Sequence, residues 1–182
     1  MKGNRAALAV VMAVVLIAAG WMFFRRSSSA PPVQLISVFD SAEKRPAGGT
    51  FQVIDAELAG ETKRAIYTVP TSRIIYKTRI PDDAWLRVAV GMKPESWTQE
   101  GDGVLFRVGV SDGRTFEDLF TQHVNPFAND GDRKWIQVWV DLSAYAGEEV
   151  DLVFNTNTSL PDKGDDPRND HALWGDPEII VR

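Results

Sequence analysis

The sequence predicts an all-β domain, a two-sheet antiparallel sandwich of the jelly-roll kind, preceded by one N-terminal transmembrane helix. Three observations predict it. Apolar residues recur with a period of two in many short stretches, turn residues separate those stretches at regular spacing, and no long helical pattern follows residue 26.

The stretch from Trp135 to Asn157 organises the domain. Ile136, Val138, Val140 and Leu142 fall on one face, with Trp135, Gln137, Trp139 and Asp141 on the other. Val150, Leu152 and Phe154 then alternate with Asp151, Val153 and Asn155. With turn chemistry between Asp141 and Gly147, the stretch reads as a hairpin of two half-buried strands. Two strands cannot stand alone in water, so the remaining chain must cover their apolar face.

Residues 1–26 differ from the rest. Lys2 and Arg5 precede nineteen uncharged residues, Ala6 to Phe24, and Arg25-Arg26 closes the run. At about 1.5 Å per residue it just crosses a hydrocarbon core of about 30 Å. A cleaved signal peptide would have a shorter apolar region and a small-x-small site. Ser28-Ser29-Ala30 would leave Pro31 at the new terminus, so a retained signal-anchor helix over 6–24 is expected. Ser27 to Pro32 reads as a linker and 33–182 as the sandwich, displayed on the periplasmic or extracellular side of the cell membrane.

The chain holds 20 basic and 25 acidic residues. Four of the basic ones lie in residues 1–26 and none of the acidic ones do, so the rest carries 16 against 25, a charge of −9. Such a surface repels polyphosphate, which argues against nucleic acid as a partner. Cysteine is absent, which removes disulfides, thiolate zinc sites and thiol catalysis.

In order, strands are expected at Val33–Phe39, Phe51–Leu58, Ala65–Val69, Arg73–Ile80, Trp85–Met92 and Val104–Val110, then the two of the hairpin and Leu173–Val181. Asp40–Thr50, Ala59–Arg64, Pro94–Gly103, Asn125–Lys134 and Leu160–Asp170 read as loops or turns. Thr115–His123 fits a helical turn or a distorted strand. The total is eight or nine strands.

Three signatures carry a resemblance: Gly101-Asp102-Gly103-Val104-x-Phe106-x-Val108; Trp135-x-x-Val138-x-Val140-Asp141-Leu142-Ser143-x-Tyr145-Ala146-Gly147; and Ala172-x-Trp174-Gly175-Asp176-Pro177. Together they resemble the galactose-binding-like jelly-roll modules attached to bacterial sulfatases, glycosidases and membrane proteins. The resemblance covers about Val33 to Arg182. It implies a β-sandwich that often binds carbohydrate, sometimes with a structural calcium, and that in some members serves as a spacer.

Candidate chemistry lies first on the outward face. Trp139 offers a platform for the C–H face of a sugar, with Gln137, Arg107 and Arg87 on strands that could be neighbours, and Trp97 in a loop is a further candidate. The competing reading has Trp135 and Trp139 covered by a loop or, with the faces reversed, in the core, and Trp174 is expected to pack. Asn129-Asp130-Gly131-Asp132 and Asp162, Asp165, Asp166 and Asp170 are oxygen-rich. Asp130 and Asp132 are candidate calcium ligands, against the plainer reading of solvated loops. The two histidines, His123 and His171, lie far apart in sequence, and no serine-hydrolase, zinc-protease or phosphate-loop motif is present. Asp170-His171 could form a dyad or be an ordinary loop pair, and no enzyme activity is expected. The expected function is a membrane-anchored carbohydrate-binding module whose partners are a glycan or a glycan-processing membrane protein, and the lipid bilayer through its helix. The alternative is a structural or docking ectodomain that binds a membrane partner and no sugar.

Overall fold

The computed structural model describes residues 32–158 and 166–182. The expected span at 6–24, nearly all of the linker, and Asp162 and Asp165 lie outside them. Among the described residues no helix is long and apolar enough to cross a membrane.

The described chain forms eleven strands: β1 (Val33–Gln34), β2 (Glu43–Arg45), β3 (Phe51–Leu58), β4 (Glu61–Thr68), β5 (Ser72–Arg79), β6 (Ala84–Met92), β7 (Val104–Ser111), β8 (Phe116–Val124), β9 (Ile136–Asp141), β10 (Glu149–Asn157) and β11 (Ala172–Val181). They make two antiparallel sheets. One runs β3-β4-β11-β6-β9, with β1 also on β11, and the other runs β2-β5-β10-β7-β8. The sandwich is therefore as the alternation predicts.

The inward faces close one core. Leu86, Val88 and Val90 of β6 and Val138 and Val140 of β9 meet Phe106 and Val108 of β7 and Leu152 and Phe154 of β10. Trp174 lies at its centre, edge-on to Phe106 and Phe154 at 5.0 and 4.9 Å between ring centroids. Each such side chain stabilises the fold by about 1.5–3 kcal/mol on burial.

Four local expectations are corrected. β9 and β10 do not form a hairpin: β9 pairs with β6, and β10 lies between β5 and β7 in the other sheet. A single turn of 3-10 helix, Ser143–Tyr145, carries the chain across. Its flanks are tied to the β5–β6 connection by Leu142 N–H to Ala84 C=O and Gly147 N–H to Ile80 C=O. Residues 33–39 form strand only at Val33–Gln34; Leu35–Ser41 is 3-10 helix. Leu35 and Phe39 stand four apart and both are buried, a spacing that fits a helical turn as well as a strand. The expected turn at Ala59–Arg64 shrinks to Ala59-Gly60, whose φ values of 52° and 83° close a two-residue hairpin. The loop at Asp40–Thr50 contributes β2 to the edge of β5.

Candidate functional site

The outer face of the β3-β4-β11-β6-β9 sheet is organised in rows of cross-strand neighbours. One row reads Gln137, Ala89, Gly175, Ala65, and the next begins Trp139, Arg87, Glu178. On the other side of the small-residue row, Trp135 lies over the sheet against Gly175 and Gly91. Small residues between rows of large ones leave a hollow. It measures about 240 Å³ and is lined by Lys63, Arg87, Gln137, Trp139, Gly175 and Asp176.

Trp139, Gln137 and Arg87 are thus brought together. Trp139 is 42% exposed, whereas Trp135 is buried in a satellite cluster with Leu58, Ala89 and Leu173. The Trp135 indole N–H donates to Glu61 C=O at 2.9 Å, so this ring is held within the satellite cluster and is not a platform. Arg87 lies 5.8 Å from the Trp139 ring centroid. Its guanidinium is anchored by Glu178, whose side chain is buried. Arg182 stands 4.6 Å from the ring centroids of both Trp85 and Trp139. Gln137 donates to Val88 C=O at 2.9 Å. Lys63 and Asp176, neither of them expected as a site residue from the sequence, complete the rim. The Lys63 ammonium is 2.6 Å from Glu61 and 3.6 Å from Asp176.

Arg107 and Trp97 are elsewhere. Arg107 is on β7, in the opposite sheet, where it pairs with Asp118 of β8. Consecutive strands β6 and β7 belong to different sheets, so Arg87 and Arg107 are not neighbours. Trp97 sits on a short helix, Glu95–Thr98, within the segment expected as loop. Its N–H donates to Met92 C=O at 3.0 Å and its ring packs on the Trp135 cluster.

The acidic loop before β9 is internally bonded. Asp130 pairs with Arg133, while Asp132 accepts from the Asn125 N–H at 2.9 Å and the Asn129 amide at 3.0 Å. Among the described residues no group of three or more His, Asp or Glu side chains is placed to hold a metal ion. Asp130 and Asp132 alone do not furnish the six to eight oxygens that calcium takes.

The histidines also have local partners. His123 Nε2 is 2.8 Å from Asp102 C=O, and His171 Nδ1 is 2.9 Å from the Tyr67 hydroxyl. Burial and the nearby Lys93 push the His171 pKa down, against a smaller opposing pull from Glu95. Burial and Glu95 push Tyr67 up. A neutral imidazole accepting the Tyr67 proton fits both directions.

No protein-family model matches the chain. Solved structures do. The CBM51-2 and INT domains of ZmpB from Clostridium perfringens superpose with a TM-score of 0.62 at 19% identity, over 84% of this chain and 32% of that one. A CBM51 of Clostridium perfringens GH95, solved with methyl-galactose, gives 0.58 at 20%, over 82% and 99%. The fold is the galactose-binding-like jelly roll of carbohydrate-binding modules. TmCBM61, solved with beta-1,4-galactotriose, shares this jelly roll with a TM-score of 0.51 at 11% identity, over 79% and 90%. By sequence, 101 residues are 42% identical to an uncharacterised protein of Archaeoglobus fulgidus. The match takes in 55% of this chain and 25% of that protein, so the jelly-roll chain spans about a quarter of its relative's length.

Proposed function

We propose that this jelly roll is a non-catalytic sugar-binding module held outside the cytoplasm by the apolar segment Ala6–Phe24, and that the sugar lies in the hollow with one apolar face on Trp139. One observation carries the reading: an exposed indole borders a depression whose rim bears the donors Arg87, Gln137 and Lys63 and the acceptor Asp176. Stacking of a pyranose C–H face on an aromatic ring, with directional bonds from polar groups beside it, is the chemistry such a rim supports. The shared fold of carbohydrate-binding modules supports the ligand class. A docking ectodomain would need a broad apolar patch. The exposed large apolar residues among those described, Val33, Val38, Phe116, Phe127 and Trp139, are spread over several elements, which favours the sugar.

The test is a glycan array probed with the full chain, in calcium and again with a chelator. Saccharide binding that disappears in Trp139→Ala supports the platform. Binding that persists unaltered in this variant overturns it. Loss of binding on chelation alone would put a metal in the ligand loops.

A further inference from the structure

β11 breaks its ladder beside the hollow. Gly175 pairs with Ala89 and Glu178 with Arg87, so Asp176 and Pro177 together occupy the space opposite the single residue Val88. Such a bulge adds a residue to one strand and re-aims a side chain. Asp176 adopts φ 43°, a left-handed conformation that Asp and Asn tolerate better than most residues. Pro177, which has no N–H to donate, is compatible with the interrupted ladder.

The consequence is a carboxylate on the rim. Asp176 Oδ1 accepts from the Arg64 N–H at 3.2 Å, while Oδ2 lies 3.6 Å from Lys63 and the side chain is 48% exposed. Each carboxylate oxygen has two acceptor positions, so capacity remains on the solvent side. The cations beside it are already matched: Lys63 by Glu61 and Arg87 by the buried Glu178. Among the residues lining the hollow, Asp176 is the one carboxylate.

We infer that Asp176 is the specificity-determining residue of the proposed site, accepting hydroxyl hydrogens from adjacent hydroxyls of a neutral sugar and turning away sugars that carry a carboxylate or sulfate. The inference rests on the sugar-binding reading. Two charge-assisted bonds from vicinal hydroxyls fit the two oxygens of one carboxylate, and an acidic sugar would face Asp176 while the two cations lining the hollow, Lys63 and Arg87, are already held by Glu61 and Glu178.

The experiment uses the full chain, as wild type, Asp176→Asn and Trp139→Ala, on an array of neutral and uronate-bearing saccharides, with thermal unfolding as the control for folding. Asn tolerates the same backbone conformation, so Asp176→Asn is expected to fold. Expected is a wild type that binds neutral saccharides, and a loss of about ten- to a hundred-fold in Asp176→Asn with less exclusion of uronates. If Asp176→Asn binds like wild type while Trp139→Ala has lost the sugar, the inference falls and the platform stands. A wild type that prefers uronates likewise overturns the role of Asp176 and leaves the platform in place. If the wild type binds no saccharide, or Trp139→Ala binds unchanged, both fall together.

Discussion

Gly175 lies directly against Trp135: a Cβ at position 175 would stand 2.8 Å from the indole Cζ3 and 2.9 Å from Lys63 Cδ. The missing side chain at Gly175 keeps the floor of the hollow low. Gly175→Ala should therefore overpack the outer cluster and lose about 1–3 kcal/mol, with sugar binding weakened as Lys63 is displaced. Chemical denaturation and array binding of the same preparation check both halves.

Trp139→Ala should leave stability within about 1 kcal/mol of wild type, because the ring is 42% exposed and its partners Arg87 and Arg182 are cations at the surface. Saccharide binding should drop below detection. A large fall in melting temperature would assign the ring a structural role instead.

Val138→Asp should be the reverse case. Val138 is 4% exposed in the inter-sheet core, and a carboxylate there has no partner. A loss of about 5 kcal/mol or more is expected, as much as a marginally stable domain holds in total, so the variant should be unfolded at ambient temperature. Circular dichroism at about 25 °C is sufficient, since a folded variant would show that this face is not the core.

Acid should weaken the fold through His171. Its pKa is lowered by burial and Lys93, so the folded state resists a proton that the unfolded chain accepts near pH 6.5. The contribution is intact above about pH 6.5 and is lost as pH falls from there through the folded value. Melting temperature should decline over that window in wild type, and His171→Gln should flatten this part of the profile. An unchanged slope in the variant would move the acid sensitivity to other groups.

Asp132→Ala should cost about 1–2 kcal/mol, because its carboxylate satisfies the Asn125 N–H and the Asn129 amide in the loop before β9. The loss should be equal in calcium and in chelator if the role is hydrogen bonding. A loss seen only in calcium would make Asp132 a metal ligand.

Much of the site was legible one strand at a time. Alternation placed Gln137 and Trp139 outward and Val138 and Val140 inward, and the structure keeps these faces. It could not show that Arg87 stands opposite Trp139 while Arg107 is in the other sheet, because pairing depends on partners far away in sequence. Lys63 was hidden because Ala59, unlike Asn or Gly, gives no turn signal, so the start of β4 read as part of a turn. The Trp174-Gly175-Asp176-Pro177 signature was noticed, yet nothing in its letters reveals that residues 176 and 177 share one place in the ladder.

By itself the sequence determined that this chain builds a cysteine-free sandwich with a defined inner and outer face on most strands, because a period of two is a local property of the pleat. The tertiary structure alone decided which strands are neighbours, that β9 and β10 part into different sheets, and that a bulge turns Asp176 toward Trp139's hollow. Those outcomes follow from closing two sheets over one core, where packing and register are settled between segments and not within them.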